Sequence, residues 1–290
     1  MDYRAAIRSL IAVLTKIACT CIAAVLFACG RAEQPATMNA NFDYAGAVRA
    51  NDCTKSPAAD APGQWNNVVF AERLQVNVRA PANYRNNIRH PLLVVFAAAT
   101  HDAYDSEAFT GLTPPATARG YVVAYTQSRR LTTSHLSAVN KVVAAVEASW
   151  CIEPQQVFFT GHSDGGTTAV AQTFLERLNR RPSAVAASAA GFSAEALDDI
   201  ECPSPTPALI LGLSEDKLFP GYDRALAEWF ARCNRCASAR TLLDAGCHRF
   251  TGCAAPTSHC VAPGGHRKWP PFNAELLDFF DQTRIQAQSP

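Results

Sequence analysis

"QVFFTGHSDGGT", Gln156 to Thr167, sets a run of apolar and β-branched residues (Val157–Thr160) directly against three glycines gathered around one serine. A strand that turns sharply into a helix brings its own backbone close on both sides of the turning residue, so the flanking positions must lack side chains. Gly161-His162-Ser163-Asp164-Gly165 fits G-x-S-x-G, and Gly166 adds a further position for close packing. The pattern leaves Ser163 exposed in a strained conformation at the head of a helix, where a nucleophile has to stand. Five residues of this kind also occur by chance. The competing reading is an ordinary strand, turn and helix start, and the flanking sequence has to decide between the two.

That flanking sequence alternates between two periods. "PLLVVFAA" (Pro91–Ala98) and "YVVAYT" (Tyr121–Thr126) are continuous apolar runs, as strands buried on both faces should be. Between Ser134 and Trp150, the residues Leu136, Val139, Val143, Val146 and Trp150 recur at spacings of three and four, which predicts a helix with one apolar stripe. Thr167–Asn179 repeats this with Val170, Phe174 and Leu178. "VAASA" (Val185–Ala189) and "PALILGL" (Pro207–Leu213) are further strands, Asn273–Gln282 a closing helix, and Asn66–Pro81 a pair of short strands forming an edge hairpin. Strands alternating with helices require crossover connections. The predicted fold class is therefore α/β, a mostly parallel sheet with helices on both faces. Sites in such sheets form beyond the carboxyl ends of the strands, and Ser163 stands just past the end of "VFFT".

The 290 residues, 48% of them hydrophobic, suffice for one large domain. A net charge of +1, with neither a basic stripe nor an acidic tail, gives nucleic acid no electrostatic handle. The N-terminus reads differently from the rest. Arg4, Arg8 and Lys16 precede the apolar run Ile17–Ala28, which is too short to span a bilayer but suits a secretory signal over residues 1–28. The run ends in "LFAC", which looks like a bacterial lipobox with Cys29 as the lipidated residue and a route to membrane attachment. Ordinary signal cleavage without lipid is the alternative. Residues 29–62 read as a polar tether, and residues 63–290 as the folded domain. Export to the envelope, periplasm or exterior agrees with the cysteines. Of 11, Cys19 and Cys21 fall in the signal and Cys29 is the lipid candidate, leaving Cys53, Cys151, Cys202, Cys233, Cys236, Cys247, Cys253 and Cys260. An even number in an exported chain implies disulfides, with about a hundred possible pairings. Cys233 and Cys236 also form a CxxC, so a zinc cluster competes, although only one such knuckle is present.

A serine hydroxyl needs a base. With the chain order Ser, acid, His, the late histidines His248, His259 and His266 come into question. His266 lies in "PGGHRKWP", where two glycines let the loop approach the serine; His259 is the runner-up. The acid should follow "PALILGL", where Asp216 and Glu215 are adjacent in "SEDKLFP"; Asp244 is a weaker candidate. Its role is to orient the imidazole and stabilise the imidazolium.

"VFFTGHSDGGTTA", "LILGLSEDKLFP" and "GGHRKWP" together resemble the secreted esterases grouped with polyhydroxybutyrate depolymerases, feruloyl esterases and acetylxylan esterases, from Asn66 to about Asp281. The resemblance implies the α/β-hydrolase fold and a serine esterase without metal or nucleotide cofactor. Its substrate would be a small ester or a polyester or polysaccharide ester. It selects Asp216, four residues before Pro220, as the acid, and His266, shortly before Trp269-Pro270, as the base. Cys236 matches a cysteine usual in the family, and a bridge from it to Cys253 fits. One motif departs. Where the family's strand ends in His-Gly and supplies an oxyanion-hole N–H, this chain reads Ala97-Ala98-Ala99-Thr100. The implied donors are the N–H groups of Ala99 and Asp164. A glycine at Ala98 or Ala99 is expected to relieve strain there, because alanine is penalised at positive φ. The alternative from another class is a non-catalytic envelope lipoprotein that keeps the hydrolase scaffold for binding.

Overall fold

Helices link each strand of the parallel part of the sheet to the next, on one face of the sheet or the other. The structure, a computed structural model, describes residues 39–45, 47, 50, 53, 64–69, 74–174, 181–243 and 246–288. The signal over 1–28, Cys29, most of the tether over 29–62, and Asp244 lie outside the described residues.

In chain order the elements are β1 (Gln64–Val69), β2 (Gln75–Arg79), β3 (His90–Phe96), α1 (Ala103–Thr110), α2 (Thr113–Ala118), β4 (Val122–Thr126), α3 (Thr133–Ser149), β5 (Ile152–His162), α4 (Asp164–Phe174) and β6 (Ala184–Ser188). Then follow α5 (Ala194–Asp198), β7 (Ala208–Leu213), α6 (Tyr222–Cys233), β8 (Arg240–Leu242), β9 (Cys247–Phe250), β10 (Thr257–Ala262) and α7 (Asn273–Gln288). The strands form one sheet in the order β1-β2-β4-β3-β5-β6-β7-β10-β9-β8. From β4 to β10 all neighbours run parallel, while β1, β2, β9 and β8 add antiparallel margins.

Both faces of the sheet are covered, which explains the continuous apolar runs. Along β3 every residue is buried. Leu92, Val94 and Phe96 join the core under Val139 and Val143 of α3, Trp150 at its C-terminal cap, Val170 of α4 and Trp229 of α6. Leu93 and Val95 join the opposite core with Ala116 of α2 and Leu276, Leu277 and Phe280 of α7. The strand period of two thus splits one apolar segment between two layers.

Four helices that the sequence reading left unassigned, α1, α2, α5 and α6, complete the fold together with the strands β8 and β9. The buried face of α1 explains its omission, for it carries Ala103, Ser106, Glu107 and Thr110 rather than an apolar stripe. Glu107 is buried because Arg79 of β2 meets it with two hydrogen bonds, Nε to Oε1 at 2.9 Å and Nη2 to Oε2 at 2.8 Å. Thr113 Oγ1 adds a third bond, to Oε1, at 2.7 Å. Removing one partner of a buried pair strands the other charge, so Glu107→Ala should lower unfolding stability by about 3–5 kcal/mol in a denaturant titration.

The eight cysteines after Cys29 are joined as Cys53–Cys151, Cys202–Cys233, Cys236–Cys253 and Cys247–Cys260. The CxxC is split between two bridges. Among the described residues no group of three or more His, Cys, Asp or Glu could hold a metal ion. Cys247 and Cys260 are register partners on β9 and β10, so their bridge staples the antiparallel margin to the parallel sheet. The Cys53–Cys151 bridge closes the longest loop, with a sequence separation of 98. A loop of that length constrains the unfolded chain by roughly 4–5 kcal/mol. The Cys53→Ser/Cys151→Ser variant should lose stability of about that size in thermal or denaturant unfolding, and titration of the intact domain in denaturant should find no thiol among these eight until reductant is added.

Candidate active site

Strand β5 ends at His162 and helix α4 begins at Asp164, so a single residue, Ser163, makes the turn. It does so at φ 54°, in the left-handed region that a non-glycine residue rarely adopts. The elbow is held from below by its own backbone, the Ser163 N–H donating to the Ser188 carbonyl of β6 at 2.9 Å. The motif glycines are required by contact. A Cβ on Gly161 would lie 2.5 Å from the carbonyl carbon of Gly165, and a Cβ on Gly165 would collide with the Phe96 carbonyl oxygen at the end of β3. The strain at Ser163 is thus imposed by a turn that no larger residue could flank.

Two loops from the same end of the sheet meet this serine. His266 follows β10 and is positioned by the residues around it. The Glu215 N–H donates to the Gly264 carbonyl at 2.9 Å, and the Lys268 N–H to the Gly265 carbonyl at 3.1 Å. His266 Nε2 lies 2.9 Å from Ser163 Oγ, and its Nδ1 lies 2.8 Å from Asp216 Oδ2. Asp216 follows β7, and its other oxygen, Oδ1, accepts the N–H groups of Leu218 and Phe219, each at 2.9 Å. Burial pushes the Asp216 carboxyl up, but donation from Phe219, His266 and Leu218 outweighs it and holds the group below the ordinary carboxylate value of 3.8. Ionised Asp216 fixes the proton of His266 on Nδ1, which leaves Nε2 to accept the serine hydroxyl. The Phe219 ring stands edge-on to the imidazole, centroids 4.9 Å apart, and stacks on Tyr222 at 5.2 Å.

Ser163, Asp216 and His266 therefore come together, and the alternatives do not. Glu215 is exposed and contributes its backbone rather than its carboxylate. His259 of β10 pairs instead with Asp223 of α6, Nε2 to Oδ2 at 2.8 Å. His248 is on β9, opposite His259.

Asp164 is the first residue of α4, where the N–H has no intrahelical acceptor. The segment after β3 passes beside it, the carbonyls of Phe96 and Ala97 being the atoms nearest a Cβ on Gly165. In this segment the Ala97 N–H donates to Thr126 Oγ1 at 3.4 Å and the Thr100 N–H to Ser128 Oγ at 3.1 Å, while Ala99 between them is exposed. The strain anticipated at Ala98 or Ala99 falls one residue later. The left-handed residue of the loop is Thr100, at φ 70°. A β-branched residue there costs about 1–3 kcal/mol, and glycine would give back about 0.5–1 kcal/mol in chain entropy. Thr100→Gly should thus raise stability by on the order of 1 kcal/mol in denaturant unfolding.

Sequence reasoning saw His162 only as part of the motif. The structure buries it at 4% exposure beneath the His266 loop, between Ser188 and the His266 backbone. Burial pushes its imidazole down to about 4.

A parallel sheet in this strand order, with a serine elbow after β5, an acid after β7 and a histidine after the last parallel strand, is the α/β-hydrolase fold. Solved structures agree. A truncated carbohydrate esterase from gut microbiota superposes with a TM-score of 0.54 at 13% identity, over 82% of this chain and 100% of that one. An acetyl xylan esterase from Aspergillus awamori gives 0.54 at 13% identity, over 81% and 98%. An α/β-hydrolase enzyme from a Medee basin deep-sea metagenome library gives 0.53 at 12% identity, over 76% and 98%. No protein-family model matches the sequence, and no curated protein matches it either.

Proposed function

We propose that this chain is an exported serine ester hydrolase that cleaves carboxylic esters through an acyl-enzyme. The observation that carries the proposal is the unbroken hydrogen-bonded line from Ser163 Oγ through His266 to Asp216, on an elbow strained at its serine. Ser163 attacks the ester carbonyl while His266 Nε2 takes its proton. His266 then gives that proton to the leaving alcohol, and water repeats the sequence on the acyl-serine. Asp216 remains ionised and stabilises the imidazolium. The N–H groups of Asp164 and Ala99 are the proposed donors to the oxyanion. The step needs neither metal nor nucleotide.

The esterases among the solved structures favour an ester as substrate, and the resemblance to polyhydroxybutyrate depolymerases, feruloyl esterases and acetylxylan esterases extends that to a small ester, a polyester or a polysaccharide ester. Export belongs to the same reading: a signal over 1–28, lipidation at Cys29, a tether over 29–62 and the catalytic domain over 63–290. Four disulfides among the described residues fit an oxidising compartment.

A fluorophosphonate probe tests the proposal, because it labels only an activated serine. The expected result is one label on the intact protein, located to Ser163 by peptide mass, together with hydrolysis of short-chain p-nitrophenyl esters. A protein that takes no label and hydrolyses none of a panel of p-nitrophenyl, feruloyl, acetyl-sugar and oligohydroxybutyrate esters would leave the scaffold as a binding protein.

A further inference from the structure

Four hydrogen bonds form a closed circuit at the elbow. Ser163 Oγ meets His266 Nε2 at 2.9 Å, and the carbonyl of His266 meets His162 Nε2 at 2.6 Å. His162 Nδ1 meets Ser188 Oγ at 2.9 Å, and the Ser188 carbonyl accepts the N–H of Ser163, also at 2.9 Å. The circuit begins and ends on the proposed nucleophile. It closes because β5 and β6 pair in register at His162 and Ser188, while His266 descends from the loop after β10.

From this we infer that His162 is a positioning residue of the site: it fixes the backbone of His266, and so aims the imidazole that serves Ser163. The inference rests on the esterase reading for its kinetic consequence, but not for its geometry. The chemistry of each atom orients the circuit. The His266 carbonyl can only accept, so Nε2 of His162 carries the proton; Nδ1 must then accept, and the Ser188 hydroxyl donates to it. Burial keeps His162 neutral, which is the state this arrangement requires. Ser188 is wholly buried and Phe109 packs an edge against the His162 ring, centroids 5.2 Å apart, so neither end of the imidazole has water as a substitute partner.

The need for such a tether comes from the loop itself. Gly264 sits at φ 144°, a conformation few other residues take, and Gly265 follows it. Two glycines directly before His266 allow the loop to reach Ser163, but they also leave its backbone free to wander. The bonds from Glu215 and Lys268 hold Gly264 and Gly265, two residues and one residue short of the base. His162 holds the base's own peptide unit.

The test compares His162→Leu, which removes both ring nitrogens, with His162→Gln, whose amide N–H reaches the Nε2 position, and with Ser188→Ala, a small deletion that leaves the ring in place. Each folded protein is assayed on p-nitrophenyl acetate, and the far-downfield proton of His266 Nδ1–H is recorded by NMR. Misplacing a catalytic group by about 1 Å costs on the order of 100-fold, so His162→Leu should lower kcat about 100-fold with KM changed less than about 3-fold, and should broaden or abolish the downfield resonance. His162→Gln should recover kcat to within about 10-fold of wild type and restore the resonance, and Ser188→Ala should shift the resonance and lower kcat about 10-fold. A kcat within about 3-fold of wild type with an unchanged resonance, in His162→Leu or, should that variant not fold, in Ser188→Ala, would overturn the inference; so would equal losses in the Leu and Gln variants. If the wild type hydrolyses no ester, the esterase reading fails separately, and the resonance alone decides the positioning role.

Discussion

Ser163→Ala is expected to abolish ester hydrolysis, with kcat falling on the order of 10⁶-fold, the scale seen when a triad serine is removed. The size follows from the chemistry. Without Oγ there is no nucleophile for His266 to activate and no acyl-enzyme. The fold should hardly notice. The hydroxyl contributes one hydrogen bond to His266, worth about 1 kcal/mol, whereas the elbow is built by the Ser163–Ser188 backbone bond and the motif glycines, which the variant keeps. Purified Ser163→Ala should therefore unfold within about 1 kcal/mol of wild type while losing both activity and fluorophosphonate labelling. Near-wild-type turnover by this variant would dismiss Ser163 as the nucleophile.

The second large effect is expected at Asp216. Asp216→Asn should reduce kcat about 10⁴-fold, while Glu215→Gln changes it less than about 2-fold. The surroundings dictate how the asparagine would sit. The two N–H groups of Leu218 and Phe219 point at Oδ1, so the amide must present its oxygen to them and its NH₂ to His266. An NH₂ facing Nδ1 forces the imidazole proton onto Nε2, and Nε2 can then no longer accept from Ser163. Asp216 also leaves a mark on the pH dependence of stability. Because the folded-state value of Asp216 lies below 3.8, the unfolded chain takes up this proton first as pH falls. The stabilisation from Asp216 is complete above about pH 5 and is lost only as pH drops through the folded-state value. Asp216 should accordingly add no limb to the activity profile near neutrality. If Glu215→Gln proves to be the damaging change, the assignment is reversed.

Much of this arrangement is legible in the amino-acid sequence. Gly161, Ser163 and Gly165 announce an elbow because close backbone approach leaves only one residue type for the flanks. β3 reads as doubly buried because Pro91–Ala98 is one continuous apolar run. His266 stands out through Gly264-Gly265, and the acid, as Asp216 or its neighbour Glu215, through its place after an unbroken apolar strand. Where the pattern failed, a physical reason is at hand for one case and a missed signal for another. The buried face of α1 is polar, satisfied by Arg79 some 28 residues away, so no hydrophobic period could reveal it. Its capping box, Asp102 with Asp105, was the available sign. In α6 the period is present in the sequence, with Leu226, Trp229, Phe230 and Cys233 buried at spacings of three and four.

The division between the two sources of information is a division between local and long-range contacts. Strand and helix periods and the glycine-flanked elbow are encoded within short windows, because each depends on neighbours a few residues apart. Which of Asp216 and Glu215 faces the imidazole, which of about a hundred disulfide pairings forms, and where the strain after β3 settles depend on residues distant in the chain. Cys53 meets Cys151 across 98 positions, and His162 meets the His266 carbonyl across 104. His162 and His266 are brought together by the pairing of β5, β6, β7 and β10, which no short window of sequence records. His162 shows the difference most plainly: the motif gives it a place beside Ser163, and only the packed loop above it gives its ring a partner.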